Sequence, residues 1–141
     1  MTRILRVVAW STLGCVTLLL TLACQAKPKQ DLDPAIGAPV QERYQSIRDA
    51  QDWMNPYVSV CPPGVVLSVR SVGRVHDRVA VDTLRNALLN LPVVAWPYGR
   101  IVALQDCSIG VPGDAEERRV RMQAVESILN GLGLAISRWP S

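Results

Sequence analysis

Pro92-Val93-Val94-Ala95-Trp96-Pro97-Tyr98-Gly99-Arg100-Ile101-Val102-Ala103-Leu104-Gln105-Asp106 is the stretch whose reading decides the fold. Two β-rich runs, 93–96 and 101–104, flank Pro97-Tyr98-Gly99-Arg100, and Pro and Gly within four residues between apolar runs are a hairpin signal. The stretch predicts two antiparallel strands. Upstream, Val65, Leu67 and Val69 alternate with Val66, Ser68 and Arg70, which predicts a strand with one wholly apolar side. Residues 71–76 read as a loop, and Val81, Leu84, Leu88 and Leu91 then recur at helical spacing, with Asp77 or Asp82 as the cap. Downstream of the hairpin, Asp114 and Glu117 make a capping-box start and Glu117 faces Arg121 one turn on. Met122, Val125, Leu129 and Leu132, widened by Ile128, supply that helix's apolar stripe. Asn130-Gly131 reads as its stop, and a last strand follows over 134–139.

The order strand, helix, two-stranded hairpin, helix, strand over 58–141 is that of a ferredoxin-like βαββαβ domain, of class α+β. It implies a four-stranded antiparallel sheet with two helices on one face. Ahead of the domain, 41–57 reads as a short amphipathic helix and lead-in: Tyr44, Ile47, Ala50, Trp53 and Met54 share a face, and Pro56 ends it. Residues 24–40, with Pro28, Pro34 and Pro39 among Lys and Asp, read as a proline-rich tether.

The first 23 residues have the form of a signal peptide: Arg3 and Arg6, then 17 uncharged residues from Val7 to Ala23. Thr21-Leu22-Ala23-Cys24 resembles a bacterial lipobox, with Thr21 where Leu is usual. That resemblance implies lipidation of Cys24, and because Gln25 rather than Asp follows, placement in the outer membrane facing the periplasm. Ordinary cleavage near Ala26 and retention as a transmembrane anchor are the alternatives. All three put the folded part outside the cytoplasm. With Cys15 and Cys24 assigned to the leader and the anchor, Cys61 and Cys107 remain, the even number expected for one disulfide.

The 15 Lys and Arg, less Arg3 and Arg6 of the leader, leave 13 against 12 Asp and Glu. A near-neutral domain whose third strand, 101–104, carries no ring lacks the footprint of a nucleic-acid binder. His76 is the single histidine and no Cys-x-x-Cys is present, so neither metal nor cofactor is expected. Gly73-Arg74-Val75 looks like the opening of the acylphosphatase loop, but the arginine that family places eight residues after the glycine would fall at Val81, so no phosphate cradle is implied.

The aromatic residues carry what functional signal there is. Trp96, Tyr98 and Arg100 at the hairpin turn, with Trp139 at the chain end, are the expected partner-binding residues. The functional expectation is a non-catalytic binding or scaffolding module, tethered to the envelope and engaging an envelope protein. The alternative is a small periplasmic hydrolase-like enzyme using Asp106 or Cys107-Ser108 with His76 as base.

Overall fold

The computed structural model describes residues 31–62, 64–73, 75–107 and 115–140. The leader with Cys24, the first part of the tether and Asp114 lie outside the described residues. Five strands form one mixed sheet: β1 (Tyr57–Cys61), β2 (Gly64–Val69), β3 (Val75–Val79), β4 (Ile101–Asp106) and β5 (Ala135–Trp139), in the order β3-β2-β1-β4-β5. Helices α1 (Val81–Leu89) and α2 (Ala115–Gly131) connect β3 to β4 and β4 to β5. The fold is α+β with two helices, but it is not the four-stranded antiparallel βαββαβ arrangement. β1 pairs in parallel with β4, and β4 with β5; only the meander β1-β2-β3 is antiparallel.

The expected hairpin fails for a local reason. Val93–Ala95 is one turn of 3-10 helix, with Val94 two-thirds exposed, so its valines do not act as a strand. The segment before β4 pairs instead with the N-terminal part of the chain: Val40 N–H donates to the Tyr98 carbonyl and Arg100 N–H to that of Gly37, both at 2.9 Å. Gly99 makes this possible, because it holds φ +82° and a Cβ there would lie 2.2 Å from the Ala38 carbonyl oxygen. The true hairpin is β1-β2, with Val58 opposite Leu67 and Val60 opposite Val65.

Two strands were hidden in the sequence, β1 in the lead-in and β3 across the end of the expected loop and the expected approach to α1. The short helix over 41–57 is likewise replaced by two single 3-10 turns, Gln41–Arg43 and Ala50–Asp52, ahead of β1. Residues 31–40, read from composition as tether, lie against the domain with Leu32 and Ile36 buried in its core. Neither Asp77 nor Asp82 caps α1: its N-cap is Ala80, with no side-chain bond. The stop of α2 falls two residues after Gly131, where Gly133 takes φ +67°, Leu134 N–H reaches the Leu129 carbonyl and Gly133 N–H that of Asn130. Glu117 and Arg121 form the expected ion pair.

Two cores follow from the alternation of side chains. On one face Val58, Val60, Val65, Leu67, Val69, Val102 and Leu104 meet the stripes of both helices, where Leu84, Leu88, Val125 and Leu129 are fully buried. On the other, Tyr57, Ile101 and Ala103 are covered by Trp53, with Tyr44, Ile47 and Ala50 beside it. The cover is tied down by Asn55, the one polar residue buried among those described. Its Nδ2 donates to the carbonyls of Gly99 and Ile101 at 2.8 and 2.7 Å, and its Oδ1 accepts from Tyr98 N–H at 2.8 Å.

Cys61 and Cys107 form a disulfide with Cα atoms 5.1 Å apart. The pairing is the one expected, for a different reason: β1 and β4 run parallel with Val60 opposite Asp106, so their C-terminal ends lie side by side. The chain-entropy model assigns a loop of this length about 4 kcal/mol, so reduction is expected to lower the denaturant midpoint by that equivalent. Replacing Asn55 by Ala takes its partner from Tyr98 N–H and from the Ile101 carbonyl, and leaves the Gly99 carbonyl only its bond from Ile101 N–H. It is expected to cost about 3 kcal/mol or more in urea unfolding, and Asn55→Leu no less, since the loss lies in the partners rather than in volume.

Candidate functional site

The second face of the sheet is covered only in part. By register, His76, Ser68, Tyr57, Ala103 and Ser137 form one cross-strand row, and Arg78, Val66, Ser59, Gln105 and Trp139 the next. The cover, ending in Ala50–Asp52 and Trp53, closes Tyr57, Ile101 and Ala103. Over β2, β3 and the later part of β1 there are two depressions, one on the face and one at its Cys61–Gly64 end, which Val65 and Val79 of the opposite parity also line.

The first, about 180 Å³, is polar: Ser59, Ser68, Arg70, His76 and Gln105 line it, with Tyr57 and the edge of Trp53 as its wall. Ser68 Oγ and His76 Nδ1 are 2.8 Å apart. Arg70 is held in place by its Nη1 donating to the Gln51 carbonyl at 2.6 Å, and Gln105 Nε2 donates to the Pro140 carbonyl at 2.9 Å. Tyr57 is 8% exposed, and its hydroxyl has no hydrogen-bond partner among the described residues. Burial pushes the phenol above its ordinary value, so it remains a neutral O–H donor. The second depression, about 300 Å³, is mainly apolar, built on Cys61, Pro62, Val66, Val79 and Ala80 with Arg78 at its side.

This arrangement is better suited to holding a ligand than to turning one over. Ser68 and His76 sit opposite each other in regular antiparallel strands, and no carboxylate lines the depression to orient the imidazole. The thiol of Cys107 is spent in the disulfide, and Ser108 lies outside the described residues. Among the described residues no three His, Cys, Asp or Glu side chains converge as a metal ion would need. No described helix is long and apolar enough to cross a membrane.

Of the four residues expected to bind a partner, the structure brings two to the interior and leaves two partly buried. Trp96 packs in the helix-side core at 4% exposure. Tyr98 stacks edge-on to Trp53, ring centroids 5.3 Å apart, in the second core. Arg100 is turned to the N-terminal segment, its Nε donating to the Ile36 carbonyl at 2.7 Å. Trp139 is half-buried against Trp53 and Tyr57, beside Gln105 at the border of the trough. Ser59 and Gln105 were missed, and they share one signal: each occupies the parity of its strand that faces away from the helices. That parity becomes readable once β1 is recognised as a strand.

Because their rings are internal, Trp96→Ala and Tyr98→Ala are expected to lower stability by about 3–5 kcal/mol and about 2–4 kcal/mol. Urea unfolding measures both. Trp53→Ala is expected to match Trp96→Ala, since its ring touches Tyr44, Tyr98 and Trp139. Comparison of the chain with protein-family models, with curated proteins and with solved structures gives no match, so the reading of this site rests on its own geometry.

Proposed function

We propose that the protein is a non-catalytic binding module of the bacterial envelope, held at the outer membrane by a lipid on Cys24 and presenting its open sheet face to an envelope protein in the periplasm. The observation that carries this is the pairing of a disulfide with a half-covered sheet. A structural disulfide fits an oxidising compartment outside the cytoplasm. A face closed over Tyr57, Ile101 and Ala103 but open over β2, β3 and the row of Ser59 and Gln105 leaves a surface of hydrogen-bonding and apolar groups without a cover of its own. In this reading Trp139 borders the contact and Tyr98 supports it from behind by packing on Trp53, while Trp96 and Arg100 belong to the helix-side core and to the junction with residues 33–36.

The Ser68–His76 pair gives the hydrolase alternative its one specific observation. A dyad serving catalysis needs a positioned oxyanion site and an oriented imidazole, and the regular strand geometry around Ser68 supplies neither. Ser68→Ala is accordingly expected to leave any ester turnover by the purified protein at the background rate.

Two measurements test the proposal. Mass spectrometry of the mature amino terminus is expected to find a lipid-modified Cys24, and Cys24→Ser to release the protein from the membrane fraction; a terminus at Lys27 or an intact Met1 contradicts the anchor. A photocrosslinking residue at Gln105 is expected to trap a discrete envelope protein in living cells, whereas the same group at Ser127, exposed on α2, traps none. Equal labelling from both positions removes the open face from the contact.

A further inference from the structure

The geometry points to a specific ligand for the open face. We infer that the trough takes the C-terminal end of an extended peptide, its carboxylate at Arg70 and Tyr57 and an apolar side chain in the depression beside Cys61 and Val66. The inference rests on the binding-module reading and names the chemistry by which the partner is recognised.

Four observations converge on it. First, the chemistry of the trough is graded along the strands. Toward the Ser68 end it offers hydroxyls, an amide and a guanidinium; toward the Gly64 end it offers valine, proline and the disulfide. From Ser68 to Gly64 is ~13 Å at ~3.3 Å per residue, the reach of about four residues of extended peptide. Second, the fixed charges are of one sign: Arg70 and Arg78 are in the lining and no Asp or Glu is. Of the acidic residues on adjoining elements, Asp77 alternates to the opposite side of β3 and Asp106 to the opposite side of β4, while Asp49, whose carboxylate accepts from Gln51 N–H, and Asp52 belong to the cover outside the lining.

Third, Tyr57 holds a buried hydroxyl that the described residues leave without a partner, which costs ~1–3 kcal/mol unless a ligand oxygen accepts from it. Arg70, pinned at Nη1 by the Gln51 carbonyl, presents the remainder of its planar fork, the donor pattern that carboxylates take in pairs. Fourth, between its charged and apolar ends the trough carries the hydroxyls of Ser59 and Ser68 and the amide of Gln105, which can pair with the main chain of an extended peptide. This last point favours a peptide over a fatty acid, which has no main-chain groups to place there and gains most from an enclosed tunnel rather than an open trough.

The test uses the full-length protein in detergent and a fluorescent hexapeptide ending in three valines, followed by anisotropy. The free acid is expected to bind at least about tenfold more tightly than its C-terminal amide, in line with loss of a charge-assisted hydrogen bond. Arg70→Gln is expected to erase that difference. Tyr57→Phe weakens the free acid several-fold while the unfolding temperature of the ligand-free protein stays level or rises. A ring retained purely for packing would move neither. Val66→Glu, which places a carboxylate in the apolar depression, abolishes binding. Val66→Thr, nearly the same shape, weakens it and serves if the Glu variant fails to fold.

Equal affinity for acid and amide overturns the inference, as does absence of binding. Octanoate displacing the peptide as effectively as unlabelled peptide does also overturns it, in favour of a fatty-acid ligand. If the peptide fails while the crosslinker at Gln105 still traps its envelope protein, the binding module stands and only the ligand chemistry falls.

Discussion

One amide side chain decides which part of the sheet is closed. Asn55 bonds to Tyr98, Gly99 and Ile101 at once, so it fixes the start of β1, the segment leading into β4 and the end of the cover as one unit. A buried amide with its partners in place holds a unique geometry, because any shift of either segment leaves a donor or an acceptor dry at a cost of ~1–3 kcal/mol. The close approach of Gly99 to the Ala38 carbonyl reinforces the same junction from the other side. Trp53, two residues before Asn55, is thereby delivered onto Tyr98 and Trp139, and the aromatic cluster is a consequence of the staple rather than its cause.

The sheet then divides by strand direction. The parallel side is covered on both faces where β4 lies between β1 and β5, and β4 accordingly runs Ile101-Val102-Ala103-Leu104 without a polar residue, all four buried, while the edge strand β5 buries none of its residues. The antiparallel meander is covered on the helix face alone, and β2 alternates: Val65, Leu67 and Val69 are buried while Gly64, Val66 and Ser68 are not. The open trough lies where that alternation is expressed. Its polar floor is therefore a product of the same pattern that makes the opposite core, and core and trough draw on alternate residues of the same three strands.

What the sequence made legible was what depends on local period and on residue chemistry. Both helical stripes are in place, and so are β2, β4 and β5, because a 3.6 or 2.0 repeat commits a segment with little regard to its neighbours. The cysteine pairing was also legible, through parity and compartment, although the strands that bring the two sulfurs together run parallel rather than antiparallel. The topology was not, for two reasons. Pro97 and Gly99 look the same whether they turn a hairpin or fit a chain crossing, and only the distant residues 37–40 decide between the two. Likewise Tyr57–Cys61 is short, is followed by Pro62, and reads as a lead-in until its four partners in β4 are known. The site inherited these errors. Aromatic residues at a supposed turn suggested a surface, whereas a chain that crosses there needs large rings to fill the space beneath it.

The disulfide links compartment to site as well as strand to strand. Cys61 ends β1, is bridged to the end of β4, and also lines the apolar depression. Its neighbours in that depression, Pro62 and Val66, belong to the β1-β2 hairpin, whose register is set next to the bridge by the pairing of Cys61 with Gly64. A strand pair of this length is marginal by itself, so the cross-link holds the apolar end of the trough in shape where the cover does not reach. At the polar end that task falls to Asn55, through the position it gives Trp53 and Tyr57. The trough is thus suspended between a covalent tie and a hydrogen-bonded one, and only the first depends on oxidation. In a reducing compartment the polar end would persist while the apolar end lost its tie, so the shape of the apolar end depends on the oxidised state of the two cysteines.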